Sequence, residues 1–151
     1  TVGTNHAVNA DGEKYVAYVW SPIQGYSHFG TYWGSENSTD GPMVYCGFRP
    51  KLVIIKRTDG NENWVLQDTA RTPKVASDGS AHHDGNIIEQ GLYLNVANAE
   101  NAGAVDMDFY STGFKPRSTD GSENWTDYKY IYAAFAEHPI VGTNGTVGLA
   151  R

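Results

Sequence analysis

The sequence predicts an all-β domain, an antiparallel β-sandwich with little helix; a small closed barrel is the alternative. Three observations point there. The chain carries 10 Tyr, 4 Trp and 5 Phe, residue types that suit pleated strands. It carries 17 Gly, and six of them directly follow an aspartate, at Gly12, Gly41, Gly60, Gly79, Gly85 and Gly121. Asp-Gly is a strong turn signal, because Gly reaches positive φ at little cost and Asp accepts bonds from nearby backbone N–H groups. Finally, no long window shows a helical stripe of apolar positions.

The strand-like runs lie between these turns. "EKYVAYVW" at 13–20 is apolar on both parities and reads as a strand covered on two faces. "LVII" at 52–55, bracketed by Lys51 and Lys56, reads the same way. "GLYLNV" at 91–96 follows. "AVDMDFY" at 104–110 alternates, with Val105, Met107 and Phe109 on one face and Asp106 and Asp108 on the other, as a strand with one solvated face does. "YIYAAFAE" at 130–137 is the last, ended by Pro139. It echoes "YVAYVW", so the opening run is expected either to pair beside it or to complete a neighbour's sheet. Cys46, in "MVYCGF", reads as a buried inert thiol, and a single cysteine excludes an internal disulfide framework.

A length of 151 residues at 40% hydrophobic content suits one domain over 1–139, followed by a Gly-rich tail over 140–151. A net charge of -6 and a pI near 5.2 argue against nucleic acid and anionic membrane surfaces as partners. The apolar runs are too short for membrane insertion. The chain begins at Thr1 without Met, as a processed product or a piece of a longer polypeptide would.

One seven-residue word occurs twice, "TDGNENW" at 58–64 and "TDGSENW" at 119–125. Both copies are expected to be turns. Asp59 and Asp120 would bond backbone N–H groups of their own loops, Gly60 and Gly121 would adopt positive φ, and Trp64 and Trp125 would re-enter the body mostly buried. The sharper alternative is a pair of calcium loops on Asp59, Glu62, Asp120 and Glu123. The full acidic ladder of a calcium loop is missing, so no metal or cofactor is expected. "YVAYVW" with "YIYAAF", and "VGTN" at 2–5 with 141–144, recur at spacings that share no period with the word, which excludes a simple tandem repeat.

An enzyme is not expected. Asp106 and Asp108 share a strand face, but in ordinary solvent-facing alternation. No "GxSxG" elbow or phosphate-cradling Gly loop occurs. "HHDG" at 82–85 places His82, His83 and Asp84 together, with Asp78 upstream, in what reads as an exposed loop rather than a metal site. Glu137-His138 reads as a loop start. Binding is better supported. Tyr32, Trp33, Trp64 and Trp125 are the glycan-binding candidates, since sugar rings stack on aromatic faces, and Tyr26, Asn37, Asp40, Asn63 and Asn124 accompany them. A core role competes for most of these rings. Asn-x-Ser/Thr acceptors stand at Asn37, Asn124 and Asn144.

The order of segments "FGTYWG", "DGPMVYCGFRPKLVIIK" and "STGFKPR", followed by "YKYIYAAFAEHP", resembles an uncharacterised module recurrent in virion and tail proteins of marine bacteriophages, often beside concanavalin-like lectin domains. The resemblance runs from about Val2 to Pro139. "VWSPIQGY" departs from it, standing where such modules more often end in aromatic-Ala-Glu. The resemblance implies a jelly-roll or concanavalin-like sandwich at the surface of a virion. There it would act as an appendage, fibre or surface decoration, with no catalytic residues to transfer. It further implies self-association as a trimer or array, contact with other virion proteins, and host surface glycan as a receptor. A free carbohydrate-binding lectin is the alternative.

Overall fold

The structure, a computed structural model, describes Gly3, residues 5–70 and residues 87–138. The "HHDG" stretch with Asp78, and the tail with Asn144, lie outside the described residues. Among those described, one short helix, α1 (His6–Asn9), precedes eight strands: β1 (Ser27–Trp33), β2 (Val44–Tyr45), β3 (Pro50–Arg57), β4 (Val65–Asp68), β5 (Ile87–Tyr93), β6 (Asn101–Tyr110), β7 (Gly113–Pro116) and β8 (Lys129–Ala136).

The strands form two antiparallel sheets packed as a sandwich. The order is β1-β8-β3-β4-β5 in one and β5-β6-β7-β2 in the other. Strand β5 serves both sheets: Leu92 and Tyr93 pair with β4, whereas Ile87 and Ile88 pair with β6. A register shift between Ile88 and Gln90 accompanies this change of sheet, as bulges do where a strand turns a corner.

Period-two alternation fills the space between the sheets. Val53 and Ile55 of β3, Tyr130, Tyr132 and Ala134 of β8, and Tyr32 of β1 point inward from the first sheet. Met107 and Phe109 of β6, Phe114 of β7 and Val44 of β2 meet them from the second. Tyr32 stacks on Tyr130 with ring centroids 5.1 Å apart, and Phe114 meets Tyr132 edge-on at 5.2 Å. Each such ring is worth roughly 1.5–3 kcal/mol by burial alone. Cys46 joins this core, and burial pushes its thiol up to about 12, so it is inert as expected.

Four expectations need correction. Residues 13–20 form no strand. Strand β8 has β1 on one edge and β3 on the other, so no edge of it is open to the opening run. Val16, Tyr18, Val19 and Trp20 are instead exposed, and Trp20 is the ring that meets the sheet, stacking near Phe29 and Phe135. Tyr32, proposed as a glycan platform, is a core residue, because its strand parity turns it inward while Trp33 faces out. Asp108 is buried rather than solvated: Arg117 pairs with it at 2.7 Å and offsets part of the cost of burying its charge. Gly60 and Gly121 do not have positive φ; among the described glycines only Gly12, Gly25 and Gly47 do. What Gly60 and Gly121 supply is room, since a Cβ on them would lie 3.1 Å from the Arg57 guanidinium and 3.0 Å from the Trp125 ring, respectively.

Candidate functional site

The register brings several loops to one end of the first sheet. Trp33 ends β1 opposite Lys129, the first residue of β8, and Arg57 ends β3 opposite Tyr130. The first copy of the repeated word therefore turns between β3 and β4 at the same end where the second copy feeds β8. Trp33, Trp64 and Trp125 are 61%, 39% and 42% exposed there. The two tryptophans expected to be mostly buried are thus half out in solvent.

Arg57 joins the two copies. Its side chain is almost fully covered and holds Asp59 at 2.8 Å and Glu62 at 3.8 Å. Its guanidinium lies 3.3 Å from the Tyr128 ring centroid and 5.8 Å from that of Trp125, two cation–π contacts on a desolvated cation. The Asp59 carboxylate therefore serves Arg57. Asp120 behaves as expected: its Oδ1 accepts from Ser122 N–H at 2.7 Å. The calcium reading needed the acids of each copy to gather round an ion; Asp59 and Glu62 instead pair with Arg57, Asp120 bonds its own loop, and Glu123 is buried against Ser118 and Asp106 N–H.

The second copy is held by buried polar groups. Ser118, Ser122, Glu123 and Asn124 are all buried. Asn124 Oδ1 accepts from Ser35 N–H at 3.0 Å, and its Nδ2 donates to Ser118 O at 2.8 Å and Asn37 O at 3.2 Å. One amide thus ties the loop after β1 to the loop after β7, and its burial removes Asn124 as a glycosylation acceptor. Glu123 Oε1 accepts from Ser118 Oγ at 2.6 Å and Asp106 N–H at 3.0 Å, while Oε2 is buried without a hydrogen-bond partner. Desolvation pushes this carboxyl up to about 8, and the neighbouring Asp106 and Asp120 charges add to the rise. Tyr32 donates to Glu123 O, and Tyr130 donates to Gly121 O while accepting from Trp125 N–H. Core rings thereby fix the loop's backbone.

Between these two loops opens a cavity of about 570 Å³, lined by Trp125, Glu36, Ser38, Asp106, Arg117 and Asp120 among others. Arg117 is engaged with Asp108 and with Tyr110 Oη at 3.0 Å. Glu36 takes a left-handed backbone, φ 53°, with its N–H donating to Asn124 O at 2.7 Å. Sequence reasoning named Trp125 for this end, but not Glu36 or the cavity. The signal for Glu36 is tertiary, since its left-handed backbone goes with a bond to Asn124, far along the chain. Of the other candidates, Asn37 bonds the Thr39 and Asp40 N–H groups in its own turn, Asp40 pairs with Lys115 at 2.5 Å, and Asn63 accepts from Asn95 Nδ2 at 3.0 Å. Tyr26, at the other end of β1, is exposed.

The fold and this loop end define an antiparallel β-sandwich whose polar chemistry is gathered at one set of loops. Residues 1–139 match the family model described as Domain of unknown function (DUF7483), and the chain belongs to that family. No curated protein and no solved structure matches it.

Proposed function

We propose that this domain is a non-enzymatic module of a bacteriophage particle, serving as an appendage, fibre or surface decoration. It works there by self-association, as a trimer or array, and by contact with other virion proteins. The order of segments from "FGTYWG" to "STGFKPR" supports the particle setting. The reading is carried by one physical observation, the amount of apolar surface outside the core. The outward row across the first sheet runs Phe29, Ala133, Ile54, Leu66, Leu92. Beside it Trp33 and Ile131 are exposed, and Val16, Tyr18 and Val19 are 80%, 76% and 89% exposed. Clusters of exposed large apolar side chains mark surfaces that a partner covers. The particle surface is then its location, and host glycan its receptor contact. The three exposed tryptophans at the loop end favour the second reading, a carbohydrate-binding lectin.

Light scattering on the intact chain across a dilution series tests self-association. The expected mass is that of two or more chains at micromolar concentration, falling on dilution. A monomer at every concentration up to the millimolar range would overturn the reading.

A further inference from the structure

The cavity beside Trp125 has features that self-association does not use. Its volume, about 570 Å³, lies inside the range of roughly 300–1,000 Å³ typical of small-ligand sites. One wall is an indole, 42% exposed, with the Arg57 guanidinium 5.8 Å from its centroid. The remaining walls are polar, with Ser38 and Thr119, the acidic Glu36, Asp106 and Asp120, and Arg117. The frame is rigid, because the buried Asn124 amide spans both loops and Tyr130 bonds the backbone at Gly121 and Trp125. A site preset in this way loses little ordering entropy on binding.

We propose that this cavity is a carbohydrate subsite, taking one pyranose unit of a glycan that bears no acidic group, with the sugar ring stacked on Trp125. An indole presents an apolar face that suits the C–H side of a pyranose. Carboxylate and hydroxyl oxygens accept from the ring hydroxyls at its edge. Charge decides the sugar class. Three acidic residues, Glu36, Asp106 and Asp120, line the cavity against one basic residue, Arg117, whose guanidinium is paired with Asp108. Uronic and sialic acids are therefore repelled, whereas neutral sugars are accepted and a protonated amino sugar is attracted. The inference is independent of the particle role, since a free lectin would carry the same site.

The test is a titration followed by tryptophan fluorescence and amide NMR shifts, using three probes: a glucosamine oligomer, a neutral glucose oligomer and a uronic acid oligomer. The expected order is amino sugar, then neutral sugar, with no response to the uronic acid. Trp125→Ala should weaken binding about tenfold, the worth of one lost stacked ring. Glu36→Gly keeps the variants interpretable, because glycine relieves the positive φ. It should melt at or above the wild-type temperature while binding the amino sugar several-fold more weakly. Tyr45→Ser, on β2, should bind as wild type does. No response to any probe, a preference for the uronic acid, or unchanged binding by Trp125→Ala would each overturn the proposal. None of these results bears on the oligomer mass.

Discussion

Glu123 shows how a single residue sets the behaviour of the loop end. Its carboxyl, ordinarily near 4.5, is held at about 8 by burial. Below pH 4.5 the group is protonated in both folded and unfolded chains, and its own contribution to stability is at its fullest. As pH rises past 4.5 the unfolded chain releases this proton while the folded chain keeps it. This group's contribution therefore falls until the folded carboxyl also ionises near pH 8, by about 1.4 kcal/mol per pH unit, on the order of 5 kcal/mol in all. Glu123→Gln retains an oxygen for Ser118 Oγ and Asp106 N–H, and places an amide where Oε2 has no partner. That amide stands near Asp106, whose charge opposes ionisation of the native carboxyl. The variant should lose this slope between pH 5 and 8 and be the more stable protein at pH 8. Denaturant midpoints taken across that range decide the matter, and parallel profiles for the two proteins would contradict it.

Among elements, the repeated word is the instructive case, because two nearly identical stretches do different work. The copy at 58–64 is a partly exposed hairpin turn organised by Arg57, and the copy at 119–125 is a buried polar knot. Removing the amide of Asn124 should then cost about 2–3 kcal/mol, since Ser35 N–H and Ser118 O lose a buried partner. Asn63→Ala, whose counterpart bond to Asn95 is exposed, should cost less than about 1 kcal/mol. Equal losses in thermal melts would show that the copies are equivalent after all. EDTA should leave both melts unmoved, and a calcium-reversible drop would restore the metal-loop reading. The sandwich was legible because its signals are local: alternation in β6, apolar runs in β3 and β8, and Asp-Gly turns. The opening run was misread because periodicity reports apolar content and not whether a sheet edge is free to receive it. Strand β7 was missed because "GFKP" is too short to show a period. The site was half legible. Aromatic type pointed to Trp33, Trp64 and Trp125, but only tertiary contacts separate them from Tyr32 or reveal that Glu123 and Asn124 lie inside.

At the scale of the molecule, the apolar surface has two parts that make separable contributions to assembly. One is the outer row of the first sheet, built into strands and inseparable from the fold. The other is the opening run, which the sandwich barely uses. Its side chains from Tyr15 to Val19 are mostly solvent-facing, Tyr15 donates to His6 O and accepts from Ala10 N–H beside α1 rather than bonding the sandwich, and Trp20 is the ring that meets the sheet. Removing this run therefore bares no sheet edge. Strand β1 already forms the edge, and no residue of 13–20 pairs with it. Replacing Val16, Tyr18 and Val19 together by Ser should shift the melting temperature by no more than a few degrees, as surface substitutions do. The same replacement removes three large apolar side chains from the surface, so the association constant should fall at least tenfold, a change of about 1.4 kcal/mol against roughly 1.5–3 kcal/mol for each side chain fully buried at an interface. Light scattering on the triple variant, read beside its melting curve, checks both halves. Unchanged association with an unchanged melt would assign assembly to the outer row around Ile54 and Leu66. A melt lowered by ten degrees or more would mean that the opening run packs on the sandwich more firmly than Trp20 alone accounts for.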